Sequence, residues 1–307
     1  MYTDLHTHTY YSDGSLSPAQ LLKLANEQNL SYIAITDHDS VGAYEDIKKN
    51  EIRELFDGRI IPGVELSAIY KGEIVEVLGY GFDADKMSEY IKNNVTGFIE
   101  SLPEQSVLYM KAFKGYGAKF TPEFDYLASE NPKELFKNSV AHTQQLYLDD
   151  MRKFPENAKF FESYEHMMTI SEKDFSRNYI YNPKSTLYVD LSSLFLSVKQ
   201  AADLIHKAGG LAFFAHTFVY SENIVNSLTD IAENYNLDGF EISYPTFSKK
   251  QKDFLYDFAK NNNMFMSGGS DFHGLDIKPN NPLGIGTNNE KINISLSQNW
   301  ISKINTI

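Results

Sequence analysis

Two histidines separated by a single residue stand near the start of the chain, in Asp4-Leu5-His6-Thr7-His8. In an extended segment residues i and i+2 share a face, so His6 and His8 can aim their imidazoles at one point. Neutral imidazole is a frequent metal ligand. Asp13-Gly14 follows five residues later and adds a carboxylate in a turn setting. A lone His-x-His pair carries little weight by itself. Its weight grows with the other candidates along the chain: His38 between Asp37 and Asp39, then Glu65, His216, Asp271 and His273. The chain has no cysteine, so a metal would be held by imidazole and carboxylate alone, with no thiolate site and no disulfide framework.

The elements that must position these residues read as alternating strands and helices. Tyr2–His6 is a short strand. Ser17-Pro18-Ala19-Gln20 is a capping box with Pro at the first helical position, opening a helix to about Asn29. Ser31–Thr36 reads as a buried strand, 41–56 as a helix, Arg59–Val64 as a third strand and Glu73–Tyr80 as a fourth. The rhythm breaks between about 87 and 190, a Tyr-, Phe-, Lys- and Glu-rich stretch with helical patches at Phe98–Ala112 and Ser139–Arg152. It resumes with a second capping box at Ser197–Gln200, a helix stopped by Gly209-Gly210, a strand at Leu211–Ala215 and a helix near Asn223–Tyr235. A strand at Gly239–Ser243, a capped helix at Ser248–Asn261 and a strand at Met264–Ser267 complete the pattern. Such alternation implies a parallel sheet. His6, His8, His38 and Glu65 then fall at or just past the C-terminal ends of strands, the face that carries the site in parallel α/β architectures. The segment from Thr287 onward is polar, with a possible final strand.

The bulk properties bound the function. A chain of 307 residues with 42% hydrophobic residues, 20 Tyr and 21 Phe can build a sizeable core, and (β/α) barrels reach this length as one domain. The net charge of −13 argues against a protein that tracks long nucleic acid through a basic footprint. It leaves room for a small phosphorylated substrate, because bound divalent ions invert the local field. No basic region followed by an apolar core opens the chain, and no apolar run approaches a membrane span. The expectation is a soluble, cytoplasmic protein with no membrane partner.

Taken in order, Asp4-Leu5-His6-Thr7-His8, Ser12-Asp13-Gly14, Thr36-Asp37-His38-Asp39, Pro62-Gly63-Val64-Glu65, Ala215-His216 and Ser270-Asp271-Phe272-His273 resemble the motifs of the PHP (polymerase and histidinol phosphatase) superfamily of metal-dependent phosphoesterases. Within it the chain looks most like the stand-alone enzymes that act on nucleotides or oligonucleotides. The resemblance covers about 1–85 and 195–285. It implies an α/β fold, a distorted (β/α)7 barrel, with a mostly helical insertion: barrel and metal site from 1–86 and 191–307, helical insertion or lid from 87–190. It implies two or three divalent ions. His6, His8, Glu65 and Asp271 would hold the first, Asp13, His38 and His273 the second, and Glu65 would bridge to a third with His216 and position 76. Mixed imidazole and carboxylate suits Mn²⁺, Zn²⁺ or Fe²⁺ better than Mg²⁺ or Ca²⁺.

The implied activity is hydrolysis of phosphoesters of small nucleotides or short oligonucleotides, nucleoside 3′,5′-bisphosphates among them, by a metal-activated hydroxide. His216, His273 and Asp13 are the candidate catalytic groups. The alternatives are a phosphatase for a non-nucleotide monoester such as histidinol phosphate, and a metal-binding module without catalysis. Three departures from the family pattern matter. Glu76 stands where relatives usually carry His, Thr217 stands where they carry Pro, and the Arg of an Arg-Pro-His segment in the insertion is replaced in Val140-Ala141-His142. His142 remains a candidate substrate contact, and Arg177 or Lys184 a candidate for the lost cation. Glu241 at a strand end could face the site or serve the fold, and Asp37 and Asp39 could cap turns or support His38.

Overall fold

The computed structural model describes residues 1–137 and 143–307. Its sheet holds eight strands: β1 (Tyr2–Asp4), β2 (Leu30–Ile35), β3 (Arg59–Tyr70), β4 (Glu73–Tyr80), β5 (Leu196–Ser197), β6 (Leu211–Phe214), β7 (Gly239–Ser243) and β8 (Phe265–Gly268). Their spatial order is β1-β2-β3-β4-β6-β7-β8, with β5 on β3. The pairs β1–β2, β2–β3, β6–β7 and β7–β8 are parallel. The two ends of the sheet meet, since the Leu5 N–H donates to the Gly268 carbonyl at 3.2 Å and the His8 N–H to the Phe272 carbonyl at 2.8 Å.

One strand departs from the expected parallel sheet. β4 runs antiparallel to β6, with Val77 opposite Phe214 and Tyr80 opposite Leu211. The cause is local. Only Lys71 and Gly72 separate β3 from β4, and both have positive φ, 49° and 85°. That is the backbone of a two-residue hairpin turn, whereas a parallel return needs a crossover of a dozen residues or more. β3 also runs on to Tyr70, so Glu65 lies inside a strand and not at its end.

The chain forms two compact units, Met1–Ala68 with Val75–Val95 and Leu196–Ile307, and Ile69–Ile74 with Thr96–Phe195. In the first, three helices begin on capping boxes at Ser17, Ser197 and Ser248. Each Ser side chain accepts the N–H of the Gln three residues on, and that Gln returns the bond. Each such cap is worth ~1 kcal/mol and fixes where the helix leaves the sheet. The helix expected over 41–56 is shorter, Gly42–Lys49 followed by a 3-10 turn at Ile52–Leu55, because Glu51 takes a left-handed conformation. The barrel interior packs Leu5, Ala34, Ile61, Leu78, Tyr80, Phe213 and Ala215 against Trp300 and Ile301. The polar C-terminal segment, expected to add a strand, instead forms a 3-10 turn at Ile294–Leu296 and buries Trp300. That ring stacks on Tyr80 with centroids 5.4 Å apart, and its Nε1–H donates to the Met266 carbonyl at 2.9 Å.

The second unit is mostly helical, with helices at Phe98–Gly115, Pro122–Glu130, Pro132–Leu135, Thr143–Met151, Tyr164–Thr169 and Glu172–Phe175. Tyr109, Phe113, Tyr147, Met151 and Phe175 form its core. A buried polar chain runs through it: Gln105 donates to Ser101, Tyr109 donates to Gln105, and Gln144 donates to Tyr181. Among the described residues no helix is long and apolar enough to cross a membrane.

Candidate metal centre

His6 and His8 lie just past the end of β1, and both are fully buried. The alternation of an extended chain holds there. Thr7, between them, turns the other way: its hydroxyl donates to the Ala34 carbonyl at 2.7 Å, and its N–H to Thr36 Oγ1 at 3.2 Å. The two imidazoles therefore share a side, with ring centroids 5.2 Å apart. Gly269 lets the chain after β8 pass close against His6, since a Cβ at that position would stand 2.0 Å from the His6 Cβ.

Glu65 is the hub. Its Oε2 is 3.1 Å from His6 Nε2, 3.3 Å from His8 Nε2 and 3.3 Å from His38 Nδ1, while its Oε1 is 3.1 Å from His216 Nε2. Asp271 Oδ1 faces the same imidazoles, 3.3 Å from His8 Nε2 and 3.6 Å from His6 Nε2. Asp13 lies at the mouth with its side chain 48% exposed, and its Oδ1 is 3.1 Å from His273 Nε2 and 3.8 Å from His38 Nε2. Glu76 enters from the reversed strand β4, with Oε2 3.1 Å from His216 Nε2 and Oε1 3.5 Å from His38 Nδ1. Tyr220 fixes it: its hydroxyl accepts the Glu76 N–H at 2.8 Å and donates to Glu76 Oε2 at 3.4 Å.

The donors gather into four overlapping groups: His6, His8 and Asp271; His8, Asp13, His38 and His273; His6, Glu65 and His216; and His38, Glu65 and Glu76. The sequence motifs place Glu76 with Glu65 and His216, and the geometry adds His38. The fit to divalent ions rests on what the imidazole nitrogens lack. His8 Nε2, His38 Nδ1 and His273 Nε2 are buried and have no hydrogen-bond partner, although carboxylate oxygens stand 3.1 to 3.5 Å away. These nitrogens converge with the oxygens on shared points. Ligand bonds of ~2.0–2.1 Å in a tetrahedral shell place neighbouring donor atoms ~3.3 Å apart, which is the spacing seen. An acidic surface cluster would instead spread its charges.

The electrostatics fit the same reading. Burial pushes the His8 and His216 imidazoles down, but the negative carboxylates of Asp271 and Glu65 beside His8, and of Glu65 and Glu76 beside His216, hold them up to about 9 and about 10. Burial pushes Asp271 up, but the Lys278 charge and the His8 contact hold it well below the usual carboxylate range. His273 goes the other way. Burial and the His8 charge bring it down to about 4, so it is neutral at physiological pH. Its Nδ1 pairs with the Asp271 carbonyl at 2.9 Å, which leaves Nε2 as the nitrogen that could ligate a metal.

Residues outside the expected ligand set hold it in place. Glu241 is fully buried. Its Oε1 pairs with His6 Nδ1 at 3.0 Å, and its Oε2 accepts the His216 N–H at 2.9 Å, the carboxylate–imidazole arrangement that orients metal-binding histidines. A Glu241→Gln variant offers one acceptor where two are in use. We expect it to lose ~10–100-fold in metal affinity or activity, read by metal content after dialysis with circular dichroism unchanged. Asp37 and Asp39 serve the loops. Asp37 accepts from Thr9 N–H, Thr9 Oγ1 and Ser12 Oγ, which fixes the loop carrying Asp13, and Asp39 accepts from Ser67 N–H and Oγ. Asp4 accepts both the N–H and the hydroxyl of Ser270, and burial pushes its carboxyl up to about 6. It anchors the turn in which Asp271 takes a left-handed φ of 54°, a conformation costing ~1–3 kcal/mol that persists only when its surroundings enforce it.

Of the two candidate substrate contacts, His142 lies outside the described residues. Arg177 belongs to the second unit, half-buried in the turn Ser176–Ile180.

Comparisons with known proteins agree with the site. The PHP domain family matches residues 4–233. The chain is 26% identical over 275 residues to the 5′-3′ exoribonuclease Rnm of Escherichia coli, covering 88% of this chain and 84% of that protein. It is 24% identical over 277 residues to the 3′,5′-nucleoside bisphosphate phosphatase of Chromobacterium violaceum, covering 88% and 86%. In fold it is similar to a solved amidohydrolase from Chromobacterium violaceum with bound sulfate and no metal, at a TM-score of 0.62 and 21% identity over 98% of this chain and 95% of that one. Six motifs in order, a barrel that converges their side chains, and a family match over residues 4–233, most of the chain, lead to one conclusion: the chain belongs to the PHP domain family and is a metal-dependent phosphoesterase.

Proposed function

We propose that this chain hydrolyses phosphoesters of small nucleotides or short oligonucleotides, with nucleoside 3′,5′-bisphosphates among its substrates. The observation that carries the reading is the convergence of His6, His8, His38, His216 and His273 with Asp13, Glu65, Glu76 and Asp271 on shared points, with buried imidazole nitrogens that have no hydrogen-bond partner. The exoribonuclease and bisphosphate phosphatase names of its relatives supply the substrate class. The nine residues would hold two or three ions of the Mn²⁺, Zn²⁺ or Fe²⁺ kind, with Glu65 shared between them. Bound there, such ions supply Lewis acidity for a phosphoryl group and lower the pKa of water.

The protein's own groups do the rest. Glu65 and Asp271 set the spacing of the donors. His273, neutral and fixed through Nδ1, needs no proton loss to serve. Asp13 turns Oδ1 inward and stands at the mouth, which leaves Oδ2 to orient an attacking water by accepting its hydrogen bond, while the imidazoles around it hold its carboxyl well below the usual carboxylate range. His38, with its side chain 21% exposed, is the imidazole with most access to an arriving ester.

A hydrolysis screen with added Mn²⁺, read by both phosphate and mononucleotide release, tests the reading, run over nucleoside 3′,5′-bisphosphates, short 5′-phosphorylated RNA and histidinol phosphate. Turnover of a nucleotide substrate is the expected outcome. Turnover of histidinol phosphate alone would overturn the substrate class, and a metal-loaded protein that cleaves no ester would overturn the enzyme.

A further inference from the structure

The two central carboxylates of the site are held in different ways. Both oxygens of Glu65 face imidazoles. Asp271 turns only Oδ1 that way, 3.3 Å from His8 Nε2 and 3.3 Å from His273 Nδ1. Its Oδ2 accepts the Tyr244 hydroxyl at 2.7 Å and the Lys278 ammonium at 2.7 Å. A carboxylate oxygen has about two lone-pair directions, so these two donors saturate Oδ2 and leave nothing for a cation. Neither donor is placed by chance. Tyr244 is buried. Lys278 closes a turn through its N–H to the Gly274 carbonyl at 2.8 Å. Asn281, three residues on, donates to the Ser270 carbonyl at 2.8 Å and so ties the lysine loop back to the residue before Asp271.

We infer that Tyr244 and Lys278 are positioning residues that hold Asp271 to a single metal-facing oxygen. The inference rests on the cluster being a metal centre. Its consequence is specific: an ion held beside His6 and His8 would receive one bond from Asp271 rather than two, and the position so spared would be open to a substrate oxygen. The ammonium also draws charge from the carboxylate, so Asp271 is a weaker donor than its burial alone would make it.

Cobalt substitution tests this. Metal-stripped wild-type protein and Lys278→Met are each loaded with Co²⁺, and the visible absorption per bound ion is compared, since that intensity falls as coordination number rises. Lys278→Met should bind as much Co²⁺ as wild type and absorb more weakly, because freed Oδ2 joins the shell. Its kcat/KM should fall ~10–100-fold, the range typical of residues that orient a ligand. Lys278→Arg should restore most of both, and Tyr244→Phe should move both in the same direction. The Lys278 side chain is 38% exposed, and equal melting of the metal-free proteins confirms that the fold is intact. An unchanged spectrum with a raised KM would overturn the inference and make Lys278 a substrate contact. Wild-type protein that takes up no Co²⁺ would overturn the metal centre itself.

Discussion

Glu65→Gln should abolish turnover, by at least ~10³-fold, about 4 kcal/mol of transition-state stabilisation at ~1.36 kcal/mol per decade. The change is nearly isosteric, and its effect follows from the hub geometry. Oε2 serves His6, His8 and His38 while Oε1 serves His216. An amide replaces one of these oxygens with an N–H donor, which repels a cation on whichever side it faces, and it removes the charge shared between the groups. Metal content should therefore fall together with kcat, which separates this from loss of a substrate contact. Glu65→Asp keeps the charge but shortens the reach by one methylene and should fail in the same way. Both variants need intact circular dichroism, because Glu65 is fully buried and an unbalanced charge there is destabilising. A folded Glu65→Gln protein with wild-type metal content and more than a tenth of wild-type turnover would refute the hub.

The residues that make the hub were legible because ligand chemistry needs few residue types and strand periodicity orders them. His6 and His8 share a face for the reason their spacing gives. His38, His216, Asp271 and His273 follow strands whose positions the apolar runs and capping boxes mark out. What escaped was tertiary. The direction of β4 turned on two residues, Lys71 and Gly72, whose positive φ makes a hairpin, and with it the direction from which Glu76 enters. Glu241 meets His6 across 235 positions and Ser270 meets Asp4 across 266, separations no local pattern encodes. Tyr244 and Lys278 look like an ordinary strand-end tyrosine and a loop lysine until the fold brings both to one oxygen of Asp271. Asp37 and Asp39 flank His38 in sequence, but the backbone turns at Asp39, whose φ is 49°, and both carboxylates fasten loops. Trp300, in a polar tail, closes the core because a sheet rolled into a barrel needs a plug.

Metal-free and metal-loaded protein should respond to rising pH with opposite signs. In protein stripped by chelation, His8 and His216 titrate near 9 and 10, raised from 6.5. A group whose folded pKa is raised stabilises the fold fully below its unfolded value and loses that contribution as pH climbs through the folded one. The melting temperature of the stripped protein should therefore fall between pH 6.5 and about 10. His273 does not blur this window, because its pKa is lowered to about 4 and its effect on stability lies below pH 6.5. Metal binding runs the other way. Each imidazole must shed its proton to become a ligand, and neighbouring carboxylates hold up His6 as well as His8 and His216, so the apparent affinity should rise by ~10-fold or more per pH unit and flatten only above about pH 10. Ligand-linked stabilisation grows with the ratio of free metal to Kd, reaching ~4 kcal/mol at a thousandfold excess. The gap in melting temperature between Mn²⁺-loaded and stripped protein should thus widen steadily from pH 6.5 to 8.5, and calorimetry in buffers of different ionisation enthalpy should record proton release on loading. A gap that stays constant across that window, or a stripped protein that gains stability as pH rises, would mean that the imidazoles are not held protonated by Glu65, Glu76 and Asp271, and that the cluster is not poised to exchange protons for metal.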